Sequence, residues 1–316
     1  MTRQTPLSQL LRPSIAPAGA NVCAISPASF ALDDRFTHGM DRLRSLGFNA
    51  SAAAHTQARG PLFFAGESTN RLADFHAAFA DPRAHIVAAV RGGYGSNYLL
   101  PGLDIDLIRQ NPKPFFAYSD LTGTQLFLLD RVGLPAFHGP MVAADFYLED
   151  GVHLPSMQAA LSGQLYSLGT GEGLRTLKPG IASGMLYGGC LSIIVSLLGT
   201  PWEPDTEGKL LFLEDVGVKP YQIDRMLWQL QAAGKLDGVT GIIFGEMLDC
   251  ASPGSDPDLL DQVLLRFFAG FSGPIVIGLR SGHVSCSNVT LTFGVPAQLD
   301  AAEASTLSIL EPAVRV

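Results

Sequence analysis

Three residues with the side chains of a hydrolytic relay stand far apart in the chain: Ser119 in "FFAYSDLTG", Glu214 in "KLLFLED" and His283 in "LRSGHVSCSN". An unassisted hydroxyl is a weak nucleophile at neutral pH. An imidazole that takes its proton, and a carboxylate that fixes the imidazole's tautomer, make it a strong one. Each residue also has a plainer explanation. Ser119 and Asp120 are both of types preferred at helix N-caps. Glu214 and Asp215 are neighbours on a strand and point to opposite faces, so one of them is free to orient a base while either could be a turn residue. Of the seven histidines, His38, His76 and His85 fall in or beside helical patterns and His55 and His153 in loops; only His138, in "FHGPM", rivals His283 at a strand end. A solitary histidine is more often held by local hydrogen bonds than catalytic. Ser, acid, His is the chain order of α/β-hydrolases, yet no glycine flanks Ser119 and G-x-S-x-G occurs nowhere.

The elements that must position these residues follow from the pattern of apolar residues. "NVCAIS", "HIVAAV" and "PFFAY" read as strands, the second a continuous apolar run as in a strand covered on both faces. Between them, Phe36, Met40, Leu43 and Leu46 recur at helical spacing before Gly47, and Leu72, Phe75 and Phe79 share a face before Pro82. "GGCLSIIVSLLG" reads as a buried helix, "KLLFLED", "VTGIIFGEM" and "GPIVIGL" as strands, and "PYQIDRMLWQLQAAG" and "DPDLLDQVLLRFFAGF" as helices. "NVTLTFG" and "STLSIL" look like late, antiparallel strands. Strand and helix in alternation predict an α/β fold with a parallel-sheet N-terminal domain (1–140), a connector (141–179) and an α/β C-terminal domain (180–316). Ser119, Glu214 and His283 all then fall at carboxyl ends of strands, where open α/β sheets place their ligands. "RGGYG" (91–95) also follows a strand, and Gly92 and Gly93 permit backbone angles that turn amide hydrogens toward a bound group. Lacking the spacing of nucleotide-binding loops, it fits an oxyanion site better.

Composition narrows the class. The 316 residues carry a net charge of -8, with 47% hydrophobic and 16% charged residues, which argues against disorder and gives no electrostatic footprint for nucleic acid. Cys23, Cys190, Cys250 and Cys286 lie far apart without zinc-type spacing, as free thiols in a reducing compartment would. The stretch from Met1 to Val22 has Arg3 and Arg12 but no continuous apolar run, so a signal peptide is not expected, and no later segment suits a membrane span. A cytoplasmic protein is the expectation.

Several motifs in order resemble the LD-carboxypeptidase family, which includes murein tetrapeptide carboxypeptidases and microcin C immunity proteins. They are "ISPAS", "FFAGESTNRLADFHAAFADP", "AVRGGYGSNYLLPGLD", "AYSDLTGTQ", "FHGPM", "LLGTPWEPDTEGKLLFLED", "PYQIDRML" and "SGH", from about residue 20 to 300. The resemblance implies a serine nucleophile at Ser119, a glutamate at Glu214 and a histidine at His283. It further implies an oxyanion hole from the amides of Gly93 and Asp120, a site between the two domains, a smaller mixed-sheet second domain, and a homodimer. No metal or cofactor is called for. Relatives often have a glutamate where this chain has Val218, an asparagine where it has Cys190, and a glycine where it has Ala117, departures that bear on the substrate more than on the mechanism.

The expected activity is that of a serine carboxypeptidase cleaving an L,D-peptide bond to release a terminal D-residue from a small muropeptide. Arg91 and Arg280 are candidates to hold the substrate's carboxylate, with an ordinary salt bridge as the alternative for each. The competing readings are an immunity-type hydrolase of peptidyl or aminoacyl nucleotides, and a non-catalytic protein whose glycine loop cradles a small anion.

Overall fold

Apolar runs bounded by glycine and proline fold as an alternation of strands and helices in the computed structural model, which describes residues 10–251, 254, 256–303 and 305–316. Most of the segment from Met1 to Arg12, with Arg3, thus lies outside the described residues. The first half runs β1 (Asn21–Ile25), α1 (Asp33–Ser45), β2 (Asn49–Ala52), α2 (Ser68–Ala80), β3 (Ile86–Ala89), α3 (Ile105–Gln110), β4 (Phe115–Ala117), α4 (Thr122–Phe127) and β5 (Ala136–His138). Every residue of β3, β4 and β5 is buried, because α1 and α2 turn Met40, Leu43, Phe75 and Phe79 onto the sheet.

The chain continues through α5 (Leu154–Ser162), β6 (Ser167–Leu168), β7 (Arg175–Lys178), β8 (Ile181–Cys190), α6 (Leu191–Ser196), β9 (Lys209–Glu214), α7 (Pro220–Ala232), β10 (Gly241–Gly245), α8 (Leu259–Phe267), β11 (Ile275–Leu279), β12 (Leu291–Phe293), β13 (Pro296–Asp300) and β14 (Thr306–Ile309). Two sheets result, in the orders β12-β5-β4-β3-β1-β2 and β6-β14-β13-β8-β9-β10-β11-β7. The first is parallel except for β12, which returns from the last third of the chain to lie antiparallel against β5, with Leu291 opposite His138. In the second, β8 to β11 run parallel and β7, β13, β14 and β6 add antiparallel edges. Strand β12 makes the two sheets interdependent, and their carboxyl edges meet where Cys190 N–H donates to Thr122 Oγ1 at 3.0 Å.

One element departs from its sequence pattern. "GGCLSIIVSLLG" is not a single helix: Gly188, Gly189 and Cys190 finish the ten-residue β8, and α6 begins at Leu191. Gly188 adopts φ +142°, and a Cβ there would meet Phe212 O at 1.9 Å. The glycines permit a backbone approach to β9 that any side chain would block. Among the described residues no helix is long and apolar enough to cross a membrane.

Candidate active site

Ser119 sits on a sharp elbow. Tyr118 is fully extended, Ser119 turns to φ +64°, and residues Ser119–Leu121 form a 3-10 turn leading into α4. A left-handed backbone costs a residue with a Cβ about 1–2 kcal/mol, so the conformation is imposed by its surroundings. The N-cap reading fails here, since neither Ser119 nor Asp120 caps α4 with its side chain. Asp120 instead accepts Ser96 N–H at Oδ2 (2.8 Å), while Ser96 Oγ donates to Asp120 O (2.7 Å). That double link pins the elbow to the loop after β3.

The glycine that a nucleophile elbow requires comes from that same loop. A Cβ on Gly92 would stand 2.8 Å from Ser119 Cβ and 2.9 Å from its Oγ. This explains the missing G-x-S-x-G: the space is cleared by a neighbouring strand end and not by residues adjacent in sequence. Gly93 (φ +102°) presses against Ser29, whose N–H donates to Gly92 O (3.2 Å) and whose Oγ accepts Tyr94 N–H (3.1 Å). Among the described residues the amides of Gly93 and Asp120 donate no hydrogen bond, which leaves both available to an oxyanion.

Glu214 ends β9, fully buried, and its Oε2 accepts both His283 Nδ1–H (2.8 Å) and His283 N–H (3.0 Å). Gly282 (φ +93°) permits this, because a Cβ there would lie 2.6 Å from the Glu214 carboxyl carbon. Burial alone would lift the Glu214 pKa, but the charge and hydrogen bonds of His283 outweigh it and hold the carboxyl below its usual value. Burial likewise pulls His283 down, and the charge and hydrogen bond of Glu214 outweigh it, leaving the imidazole above its ordinary value. Asp215 faces away, accepting Ser192 N–H and Val216 N–H at 2.9 Å each. Of the adjacent acids, Glu214 is the one that orients a base.

His138 does not compete with His283. It is wholly buried, donates or accepts at Nδ1 with Ser281 Oγ (2.9 Å), and burial drives its pKa to about 4. His76, His85 and His153 accept backbone N–H groups, of Asp104, Asn21 and Ser156. His55 pairs with the buried Asp74 at 2.8 Å, so a carboxylate partner by itself does not single out His283. What does is its neighbour: the Tyr118 ring, one residue before Ser119, lies edge-on to the His283 ring with centroids 5.2 Å apart.

The acid–imidazole half of a relay is therefore formed, and the Tyr118 ring brings the segment that carries Ser119 against it. Ser119 Oγ makes no hydrogen bond among the described residues, and a hydroxyl–imidazole link commonly tightens only around substrate. Arg91 has no carboxylate partner among the described residues; it donates to Phe30 O at 3.3 Å and lies near Arg35 and Tyr118. Arg280 is spent on the backbone carbonyl of Gly171. Cys190 is buried, and burial with the nearby Glu214 and Asp215 charges keeps its thiol protonated. Ser29, Ser96, Asp145 and Asn288 escaped sequence reasoning altogether, since side chains that bind backbone across long separations leave no periodicity. Among the described residues no cluster of His, Cys, Asp and Glu is suited to a metal ion.

Most of the chain finds counterparts among known proteins. The family model for the LD-carboxypeptidase N-terminal domain matches residues 22–139, and that for the C-terminal domain matches residues 183–299. The probable murein peptide carboxypeptidase of Bacillus subtilis (strain 168) is 37% identical over 299 residues, 92% of either chain. A crystal structure of an MccF-like protein from Bacillus anthracis str. Ames superposes with a TM-score of 0.87 at 25% identity, covering 95% of this chain and 99% of that one. Muramoyltetrapeptide carboxypeptidase from Oxalobacter formigenes superposes with a TM-score of 0.83 at 29% identity, covering 93% and 99%. From its ordered motifs, its pair of α/β sheets and these matches over both halves, the chain belongs to the LD-carboxypeptidase family.

Proposed function

We propose that this protein is a serine-type LD-carboxypeptidase that removes the terminal D-residue from a murein tetrapeptide. Ser119 Oγ attacks the carbonyl carbon of the L,D-peptide bond as its proton passes to His283 Nε2, and the amides of Gly93 and Asp120 receive the oxyanion. His283 then protonates the departing amine, the C–N bond breaks, and water, deprotonated by the same imidazole, releases the acyl group from Ser119. Glu214 keeps the Nδ1–H tautomer and stabilises the imidazolium. Arg91, cationic and without a carboxylate partner among the described residues, suits the substrate's free carboxylate. The observation that carries this reading is the Glu214–His283 bond of 2.8 Å, with the His283 ring against Tyr118, the residue before a serine held at φ +64°.

Kinship with MccF-like proteins motivates a second reading, hydrolysis of an aminoacyl nucleotide by the same machinery. Incubating the protein with a synthetic L,D-tetrapeptide and, separately, an aminoacyl sulfamoyl adenosine, with products read by mass, decides between them. We expect free D-alanine from the first and an unchanged second. Cleavage of the nucleotide alone would replace our reading, and cleavage of neither would end it. The four free cysteines support a reducing, cytoplasmic setting and hence a role in cell-wall recycling. The homodimer implied by the family resemblance is part of the same proposal, to be checked by light scattering.

Gly92→Ala tests the elbow. The added methyl must displace Ser119 Cβ or Oγ, and a misplacement of about 1 Å can cost about a hundredfold in rate. Turnover of the tetrapeptide is expected to fall by about that factor with circular dichroism unchanged. A Gly92→Ala enzyme of normal turnover would show that Ser119 does not need this geometry.

A further inference from the structure

The two faces of the site come from remote segments, Tyr118–Ser119 after β4 and Gly282–His283 after β11. One buried pair touches both. Asn288 lies alongside Gly282, accepting its N–H at Oδ1 and donating from Nδ2 to its carbonyl, each at 3.0 Å. This two-point clasp resembles a rung of an antiparallel ladder. The same Nδ2 donates to Asp145 Oδ1 at 3.0 Å. Asp145 Oδ1 also accepts the Tyr118 hydroxyl (3.3 Å), and its Oδ2 accepts Met141 N–H (2.8 Å). Asn288 is itself seated through its backbone, N–H to Gly151 O (2.9 Å) and O from His153 N–H (3.0 Å).

We propose that Asp145 and Asn288 are positioning residues, a buried strut that sets the Ser119 elbow and the His283 loop in one register. Neither side chain belongs to the relay, and both are buried. A buried carboxylate is costly to keep unless every contact is satisfied; in this one Oδ2 is held locally by Met141 N–H, and Oδ1 is given over to Tyr118 and Asn288, the groups that lead to the two halves of the site. The amide orientation is also determined, because a flipped Asn288 would set a donor against Gly282 N–H and an acceptor against Asp145. The inference rests on the serine-hydrolase reading above, though not on its substrate.

Electrostatics supply a readout that mere scaffolding would not move. Burial pushes Asp145 up to about 6, so it is ionised in mildly alkaline buffer. The charges acting on His283 are then those of Glu214, of Asp145 and, from the opposite face of the strand, of Asp215, all of which raise its pKa; Tyr118 and His138 beside it are neutral. Removing the Asp145 charge must lower the His283 pKa.

The test measures the rate at which a fluorophosphonate labels Ser119, as a function of pH. In that reaction the Oγ–P bond forms, the P–F bond breaks, fluoride leaves and the serine proton goes to His283, with no L,D-peptide involved. In Asp145→Asn, the new amide can serve Met141 or Asn288 but not both. Labelling by Asp145→Asn and Asn288→Ala is expected to fall about ten- to a hundredfold, and by Tyr118→Phe, which loses one hydroxyl, about three- to tenfold. The acid limb of the Asp145→Asn profile should shift to lower pH. Rates within twofold of wild type, or a slowed Asp145→Asn whose acid limb stays in place, would overturn the proposal. If either larger substitution prevents folding, Tyr118→Phe decides. Wild-type protein that labels at Ser119 but spares the tetrapeptide would refute only the substrate; wild type that fails to label at Ser119 would remove the relay itself.

Discussion

Ser119→Ala is expected to lower turnover of the L,D-tetrapeptide by about 10⁴- to 10⁶-fold, the range for losing a serine nucleophile that works as a unit with its base. The fold should not register the change. Ser119 Oγ makes no hydrogen bond among the described residues, so its removal leaves no buried partner unsatisfied. Alanine also keeps the Cβ, and with it the strain of φ +64°. The melting temperature should therefore stay within about 2 °C of wild type. Ser119→Gly separates strain from chemistry. Glycine relieves a left-handed conformation that costs about 1–2 kcal/mol, against its own entropic penalty of about 0.5–1 kcal/mol. The glycine variant should be as inactive as the alanine variant and at least as stable. Turnover of Ser119→Ala within tenfold of wild type would exclude the nucleophile. A glycine variant that melts well below the alanine one would exclude the strained elbow.

Much of this arrangement is legible in the chain where the physics is local. Apolar runs such as Ile86–Ala89, Phe115–Ala117 and Gly241–Gly245, bounded by turn residues, read as strands covered on both faces and are so, and Ser119, Glu214 and His283 stand at or just past carboxyl ends of strands. Helical spacing of Phe75 and Phe79, or of Leu260 and Leu264, is equally plain. What could not be read depends on contacts between distant segments. Whether Ser119 caps a helix or occupies an elbow is decided by Gly92 and Ser96, on a different strand end. The partition between Glu214 and Asp215 is decided by Ser192 N–H, which engages Asp215. Gly188 and Gly189 look like loop or helix residues until Phe212 is placed against them. Asp145 and Asn288, 143 residues apart, are an ordinary acid and an ordinary amide in sequence. The family resemblance names Ser119, Glu214 and His283; only packing shows what holds each of them.

Glu214→Gln is expected to reduce turnover by about 10³-fold and to move the acid limb of kcat/KM to lower pH. Both His283 N–H groups aim at the single oxygen Oε2, so a glutamine can place its carbonyl there and preserve the Nδ1–H tautomer. What it cannot supply is charge. In wild type, burial depresses the His283 pKa, yet the Glu214 charge and hydrogen bond outweigh it and leave the value raised. The free base needed to accept the Ser119 proton is therefore depleted as pH falls through a value above the ordinary imidazole range of about 6.5. Without the Glu214 charge burial regains the upper hand against the weaker pull of Asp215 and Asp145, and the limb should descend. The limb belongs to the coupled Glu214–His283 pair, so its displacement reports the loss of coupling and not the pKa of one residue. Should glutamine instead turn its amide nitrogen toward His283, the clash of donors would force the other tautomer. The loss would then approach the 10⁴-fold seen when an oriented imidazole is held in the wrong tautomer. A Glu214→Gln enzyme within tenfold of wild-type kcat, or with an unmoved acid limb, would mean that this buried carboxylate supports the fold and not the proton transfer.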